Sequence, residues 1–439
     1  MGKLFRVLFC AIIVDFFYYS SVFSFTMGQN TKLILGVMGL ATFIITSVRK
    51  REFNLSREMV LMTIIAAGVS LASYVSMSFN NTGDNAYLTY VISMLVWLSA
   101  AYMVIRILRY FHGEVTIDLV ANYIIAISVV QCAIAITANM NEPFNLFIKT
   151  IFPGTGWLDS VDRMYGLGDT TALDTGGIRY SIACVFCAYM LVRVQGKKDG
   201  LIPWYLFAYM VITVIGNMIA RTTTVGAGLA LVYMMVFLFI SAKVSYSKLK
   251  TLGWLVAILA VVVGILSWLY NTNDIIHNNL RFGFEGFFSL VETGHWQVNS
   301  NDRLSSMYVF PDNAKTWIIG DGYFNNPYSD PNFLGEVTGG YYMDTDVGYL
   351  RFIFYFGVVG LVIFAAMILY AGKICRMRYP KEWLLFYILV LINFIIWFKV
   401  ATDCFFILGM FIAMAYVRDY MEVPERFQQE IPEETEEET

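Results

Sequence analysis

The chain has 439 residues, 58% hydrophobic and 16% aromatic, and a mean hydropathy of +0.61. Only 14% are charged and the formal net charge is −3. A water-soluble domain needs more charge than this to cover its surface, and no nucleic-acid partner is expected.

The apolar residues come in segments of about 16 to 25, the length that crosses about 30 Å of hydrocarbon. Twelve are predicted in chain order, near 5–25, 31–48, 58–78, 87–108, 115–138, 178–194, 202–220, 222–242, 251–270, 347–371, 383–399 and 402–418. Backbone polar groups in lipid must be satisfied within the segment, so each should be a helix. The expected fold is all-α, a polytopic transmembrane bundle of about twelve spans with two long extracytoplasmic loops, 139–177 and 271–346. Residues 1–421 are read as one membrane domain. Residues 422–439, with eight glutamates and two prolines, read as an acidic disordered cytoplasmic tail.

The first segment does not read as a cleavable signal peptide. It runs too long, carries Asp15, and lacks a small-residue cleavage site after Ser24. With the N-terminus inside and an even number of spans, twenty of the 30 basic residues fall in inner loops. That is the bias that sets membrane orientation. Both termini are therefore expected in the cytoplasm. In the first long loop, 144–151 reads as an amphipathic stretch at the outer interface, ended by Pro153-Gly154-Thr155-Gly156. The six cysteines fall in or beside spans and imply no disulfide framework. Cys184 and Cys187 have CxxC spacing but read as small packed residues of a helix.

Several charged positions need a reason. Arg221 lies between the seventh and eighth segments, in Ala220-Arg221-Thr222-Thr223-Thr224. A charge so near hydrocarbon usually faces protein, a cavity or a partner. It either snorkels to the interface or acts as a phosphate clamp, for which a planar guanidinium fork suits better than an ammonium. Arg303 follows Asn301-Asp302 in the second long loop, and Arg163 and Arg179 bracket the first. Four arginines on one face point to an anion site, whereas Arg281 and Lys315 read as ordinary loop charges. Asp344 and Asp346 sit at the mouth of the tenth span. They are either solvated carboxylates or partly desolvated ones, and desolvation makes a carboxylate a better proton acceptor. Lys399 and Asp403, four apart, are expected to pair along a helix. His112, His277 and His295 lack metal-ligand spacing, and no Walker, dinucleotide or HExxH motif occurs. No metal or cofactor is expected.

At these residues the chain resembles the O-antigen polymerase (Wzy-type) and O-antigen ligase group of bacterial envelope proteins. The resemblance rests on Ala220-Arg221-Thr222 at the end of a mid-chain helix and on Asn301-Asp302-Arg303 opening the long loop. It continues with Ile318-Ile319-Gly320-Asp321-Gly322, Asp346-Val347-Gly348-Tyr349-Leu350, and Gly357-Val358-Val359-Gly360. Arg163-Met164-Tyr165-Gly166 is similar to an Arg-x-x-Gly turn of the first external loop. Asp346-Val347 stands where ligases and many polymerases have His-Asn, which favours polymerase over ligase.

The resemblance implies metal-independent glycosyl transfer on the outer face of the bacterial cytoplasmic (inner) membrane. The donor would be an oligosaccharide repeat on undecaprenyl pyrophosphate, and the acceptor a hydroxyl of another lipid-linked repeat. Arg221 and Arg303 would clamp the pyrophosphate, with Arg163, Arg179 and Tyr349 as further substrate-binding residues. Asp346 or Asp344 would take the acceptor proton. Loop aromatics such as Trp157, Trp296, Tyr341 and Tyr342 either stack on sugars or simply anchor the interface. The implied partners are the lipid-linked oligosaccharide, membrane lipid, a chain-length regulator and a flippase. Two rivals remain, an O-antigen ligase with a lipid A core acceptor and a transporter or flippase for the same lipid-linked oligosaccharide. Transporters usually hold charged sites near the midplane on broken helices, whereas these residues fall at span ends.

The expected topology has a direct check. A topology reporter fused at Asn313 should read as extracytoplasmic, and a cytoplasmic signal there would overturn the orientation.

Overall fold

Side chains that accept a hydrogen bond from the first turn mark where many helices begin. In the computed structural model, Asn30 accepts from Leu33 N at 3.0 Å, Ser56 from Met59 N at 3.2 Å and Thr116 from Leu119 N at 3.2 Å. The structure describes residues 2–26, 28–153, 164–239, 246–327 and 340–421. Arg163, Trp157, most of the Pro153–Gly156 break and the 422–439 tail lie outside them.

In chain order the helices are α1 (Lys3–Tyr18), α2 (Thr31–Lys50), α3 (Arg57–Asn80), α4 (Tyr90–His112) and α5 (Ile117–Met140). The amphipathic stretch forms α6 (Glu142–Ile151), followed by α7 (Leu173–Val194), α8 (Ile202–Ile219), α9 (Thr223–Phe239) and α10 (Tyr246–Thr272). The second long loop contains α11 (Asp274–Gly283), α12 (Glu285–Thr293), α13 (Asn299–Ser306) and α14 (Ala314–Ile318). Last come α15 (Gly348–Arg378), α16 (Trp383–Ile396) and α17 (Phe405–Tyr420).

A helix stands at each of the twelve predicted segments, and the molecule is an all-α polytopic bundle. Among the described residues eight helices are long and apolar enough to cross a membrane. The other four, α1, α9, α16 and α17, are shorter at 16, 17, 14 and 16 residues. Among the described residues there is no β-strand, only the isolated bridges Val22–Asn30 and Asn325–Tyr341.

Contacts at the two ends show that consecutive spans alternate in direction. At one end Arg109 of α4 donates to Val417 O and Met421 O beyond α17, both at 2.7 Å. There too Arg378 of α15 pairs with Glu58 of α3, and Arg193 of α7 with Asp118 of α5. At the opposite end Tyr18 of α1 bonds Arg179 of α7, Asn139 of α5 bonds Asn279, and Asn80 of α3 bonds Gly320. The described residues of both long loops lie at this second end.

The described residues of the 271–346 segment carry four helices, α11 to α14. In α11 the spacing Ile276–Leu280–Gly283 places three buried residues on one face, the i, i+4, i+7 pattern of a helix laid on a surface. That face packs on α8, with Asn217 and Met218 backbone close beneath Gly283.

α15 is broken inside. Phe356 leaves helical geometry at φ −135°, and Gly357 takes φ +69° with ψ −179°. The break strands carbonyls in a region where water cannot replace a lost partner. The Gly320-Asp321-Gly322 loop repairs it: Asp321 N donates to Phe354 O at 2.6 Å and Gly322 N to Tyr355 O at 3.1 Å. Ser76 of α3 adds a bond to Tyr355 O at 2.7 Å. So close an approach excludes side chains. A Cβ on Gly320, at φ +86°, would lie 2.6 Å from Tyr355 backbone, and one on Gly357 would lie 2.1 Å from Ile318 O.

Gly320→Ala and Gly357→Ala should therefore each cost about 2 kcal/mol or more, combining a left-handed backbone with a backbone clash. Gly228→Ala in α9, with open space at its Cβ, should be neutral or slightly stabilising. Thermal unfolding in detergent measures the contrast, and equal melting temperatures for the three variants would contradict this account.

Candidate functional site

The turn between α8 and α9 sends two neighbouring residues to different places. Arg221 joins a cavity of about 640 Å³ roofed by α11, α12 and α13, and Thr222 joins a carboxylate cluster at the mouth of α15.

In the cavity Arg221 donates Nε–H to Phe282 O at 2.9 Å and an NH1 proton to Ser300 Oγ at 2.6 Å. Its NH2 lies 2.6 Å from Glu285 Oε2, and its guanidinium sits over the Phe282 ring at 4.3 Å. Arg303 of α13 lines the same cavity, and among the described residues no side chain pairs with its exposed guanidinium. The two arginines expected to act together thus share one space. Asp346, the carboxylate that the resemblance would pair with them in the reaction, is not among the lining residues.

Arg281 is more than an ordinary loop charge. It lines the cavity and forms a two-pronged pair with Glu292 at 2.7 and 2.8 Å. That fork holds the Glu292 carboxyl below its usual range and the Arg281 guanidinium above its own. Three arginines and two glutamates leave the lining with one net positive charge.

The second cluster centres on Asp346, whose Oδ1 is 3.7 Å from Arg351 NH1. The Asp346 side chain is 17% exposed and that of Arg351 only 6%. Arg351 also donates to Phe324 O at 3.1 Å and Asn325 Oδ1 at 2.8 Å. Its guanidinium lies over the Phe324 ring at 3.7 Å and over the Tyr341 ring at 4.5 Å. Burial, and then the facing Asp174 carboxylate, push the Asp346 carboxyl up to about 6, with Arg351 and Lys399 pulling the other way. Such a group stays largely ionised at neutral pH yet is far more basic than a free aspartate.

Lys399 corrects a sequence-based expectation. It does not pair with Asp403; its Nζ lies 2.8 Å from Asp174 Oδ1 of α7 and 3.2 Å from Thr222 Oγ1. The i, i+4 rule holds only within a helix, and residues 397–404 are a turn and coil between α16 and α17. Asp403 instead accepts from Phe405 N at 2.9 Å.

The remaining expected residues scatter. Arg179 is buried in α7, donating to Tyr18 O at 2.6 Å and Thr175 O at 2.9 Å, so it ties α7 to α1 and does not line the cavity. Tyr349 turns its hydroxyl to Phe394 O at 3.0 Å and its ring to Trp397 and Phe398. Asp344 is exposed, with a left-handed φ of +52°. Arg163 lies outside the described residues.

Sequence reasoning missed Asp174, Thr222, Lys399 and the role of Arg351. Asp174 offered one signal, an acid just before a predicted span. Lys399 offered none, because its partner is 225 residues away. Among the described residues no three His, Cys, Asp or Glu side chains converge as a metal site.

Lys315, also read as an ordinary loop charge, bonds Asn80 Oδ1 at 2.8 Å and Asp321 Oδ1 at 2.5 Å. It thereby holds the repair loop to α3. Lys315→Ala should lower stability by about 1 kcal/mol, discounted for partial exposure, whereas Arg303→Ala should leave the melting temperature unchanged. Thermal unfolding of both variants decides, and the reverse order would contradict these roles.

No family model matches the chain, and neither curated proteins nor solved structures give a match. The resemblance to the envelope polymerase and ligase group therefore stands on the motifs alone.

Proposed function

We propose that the protein is a membrane glycan polymerase that joins undecaprenyl-pyrophosphate-linked oligosaccharide repeat units. It would act on the outer face of a bacterial cytoplasmic membrane, with both termini inside. The observation that carries this reading is the junction at Arg221–Thr222. There Arg221 lines a cavity of about 640 Å³ with Arg281 and Arg303, while Thr222 donates to the Asp174 carboxylate, whose charge together with burial pushes the half-buried Asp346 carboxyl up to about 6.

Polyprenyl pyrophosphate is a leaving group that needs positive charge, and a sugar hydroxyl is a nucleophile that needs a base. In the proposed step the acceptor oxygen bonds to the anomeric carbon of the donor as the bond from that carbon to the pyrophosphate oxygen breaks. The acceptor proton passes to Asp346, and the electron pair leaves with undecaprenyl pyrophosphate beside Arg303 and Arg221. Arg303 would meet the phosphate first. Arg221 would exchange Glu285 for a phosphate oxygen, so the resting ion pair keeps the guanidinium oriented until substrate arrives. The long loops at this end of the bundle face the compartment in which lipid-linked repeats are joined.

Chain-length profiles of surface glycan, normalised to protein level, test the assignment. A deletion strain should retain a single-repeat cap. Complete loss of glycan from its lipid A anchor would indicate a ligase, and intermediates held in the cytoplasm would indicate a flippase. Arg221→Lys should be nearly as damaging as Arg221→Ala, because an ammonium keeps the charge but loses the fork. Arg303→Ala should shorten the polymer, and full-length polymer from Arg221→Ala would defeat the phosphate clamp.

A base must be deprotonated to act, so polymerisation in isolated membranes should fall as pH drops through about 6. Asp346→Asn should abolish that acid limb and cost turnover more than donor binding. An unchanged limb in Asp346→Asn would show that another group titrates.

A further inference from the structure

At the end of the bundle away from the long loops, α7 finishes on Arg193-Val194, and Lys197 and Lys198 follow in the turn to α8. That turn is tight. Lys197 N and Lys198 N both donate to Val194 O, at 3.0 and 2.7 Å, and Gly196 takes a left-handed φ of +74°. Both lysines therefore stay at the last turn of α7, where they line a pocket of about 220 Å³ with Arg193. Asp118 and Asn122 of α5 and Tyr205 of α8 form its other walls. Asp118, in the first turn of α5, accepts from the Tyr189 hydroxyl at 2.8 Å and from Arg193 Nε–H at 3.2 and 3.4 Å. Tyr205 donates its hydroxyl to Asn122 Oδ1 at 2.6 Å. One edge of the Arg193 guanidinium is thus fixed. Among the described residues its NH1 and NH2 make no hydrogen bond, and neither lysine ammonium has a partner. Three bases against one acid leave the lining with two net positive charges. Asp199 does not offset them: it is not a lining residue, and its Oδ1 accepts from Gly196 N at 2.7 Å.

We propose that this pocket between α5, α7 and α8 binds the phosphodiester headgroup of an anionic phospholipid. A bias of basic residues towards one end of a bundle is general in membrane proteins, but it does not by itself gather three of them around one cavity. Basic pockets between membrane helices recognise anionic headgroups, and a guanidinium with two free nitrogens suits phosphate oxygens. The surface beside the pocket supplies the lipid's other half. Leu201, Trp204 and Phe207 recur every three residues and are 41%, 41% and 44% exposed, so they form one apolar ridge outside α8. The Trp204 and Phe207 rings lie 6.2 Å apart, and an exposed tryptophan near a helix end sits at headgroup depth. Leu201 belongs both to the ridge and to the pocket lining, so the charged cavity runs directly into a surface for acyl chains. A free anion would use only the cavity, whereas a phospholipid uses both. The bound lipid would tie three helices together at the end opposite the arginine cavity, and it needs nothing from the polymerase reading.

Native mass spectrometry of the full-length protein in detergent counts bound lipids directly. Phosphatidylglycerol should bind more tightly than phosphatidylcholine with the same acyl chains. Lys197→Gln combined with Lys198→Gln should weaken the first phosphatidylglycerol by about tenfold or more, because each base near an anionic lipid contributes severalfold. Arg49→Gln combined with Lys50→Gln removes two exposed bases near the same end of the bundle, where Tyr416 of α17 bonds Asn54 O. That pair should leave binding unchanged. Equal weakening by both pairs would reduce the effect to general surface charge and overturn the proposal. Displacement of the lipid by millimolar inorganic phosphate at constant ionic strength would overturn it too, assigning the pocket to a free anion. A phosphatidylglycerol with a photoactivatable headgroup locates the site in the unaltered protein, independently of any variant. Cross-links should fall between residues 190 and 205, and cross-links confined to other basic segments would refute the assignment.

Discussion

A broken helix inside a membrane protein is the constraint on which the rest depends. At Phe356–Gly357 the long α15 loses its regular hydrogen bonding, and in lipid each stranded carbonyl costs several kcal/mol unless a partner is supplied. The chain supplies one from the polar segment outside: the N–H groups of Asp321 and Gly322 bond the carbonyls of Phe354 and Tyr355. Lys315, Asn80 and Thr316 then lock that loop, with Thr316 Oγ1 2.7 Å from Asp321 Oδ1. A segment that looks like a connection is thus a structural insert of the bundle. Because the insert fixes the first two turns of α15, it also fixes Arg351 and, just before the helix, Asp346.

The second organising principle is neutralisation of charge at the loop end. Arg221 meets Glu285, Arg281 meets Glu292, Lys399 meets Asp174, and Arg351 meets Asp346. Buried or half-buried charges that lack partners are expensive, whereas paired ones mainly hold geometry. Two of the four pairs join elements far apart in the chain, the α8–α9 turn to α12 and the turn after α16 to α7. Arg303 breaks the pattern as the cavity arginine without a counter-charge among the described residues. An unpaired cation beside paired ones leaves a surplus available to an anion, and the neutralised pairs keep their side chains aimed in the meantime.

The sequence carried much of this architecture in its periodicity. Twelve apolar segments became twelve helices because lipid leaves the backbone no other way to satisfy itself. The amphipathic 144–151 stretch became α6 for the same local reason that Ile276, Leu280 and Gly283 made a face of α11. The Gly320-Asp321-Gly322 element and the glycine at 357 were visible as motifs, and their association with function was read from resemblance. What they do physically, repairing a helix break, was not visible, since it requires knowing that two segments about 35 residues apart meet backbone to backbone.

What the sequence determined by itself is therefore the all-α class, the placement of the spans and the end of the bundle where arginines 221 and 303 and the Asp346 carboxylate gather. All of these follow from local hydropathy and local charge. Only the tertiary structure decided the partners. It took Lys399 from Asp403 and gave it to Asp174, withdrew Arg179 and Tyr349 into helix packing, and put Arg221 in a cavity whose lining does not include Asp346. The physical reason is range. Helix formation and membrane burial are written in windows of about twenty residues, whereas an ion pair depends on three-dimensional distance, and that is settled only when every helix has found its neighbours.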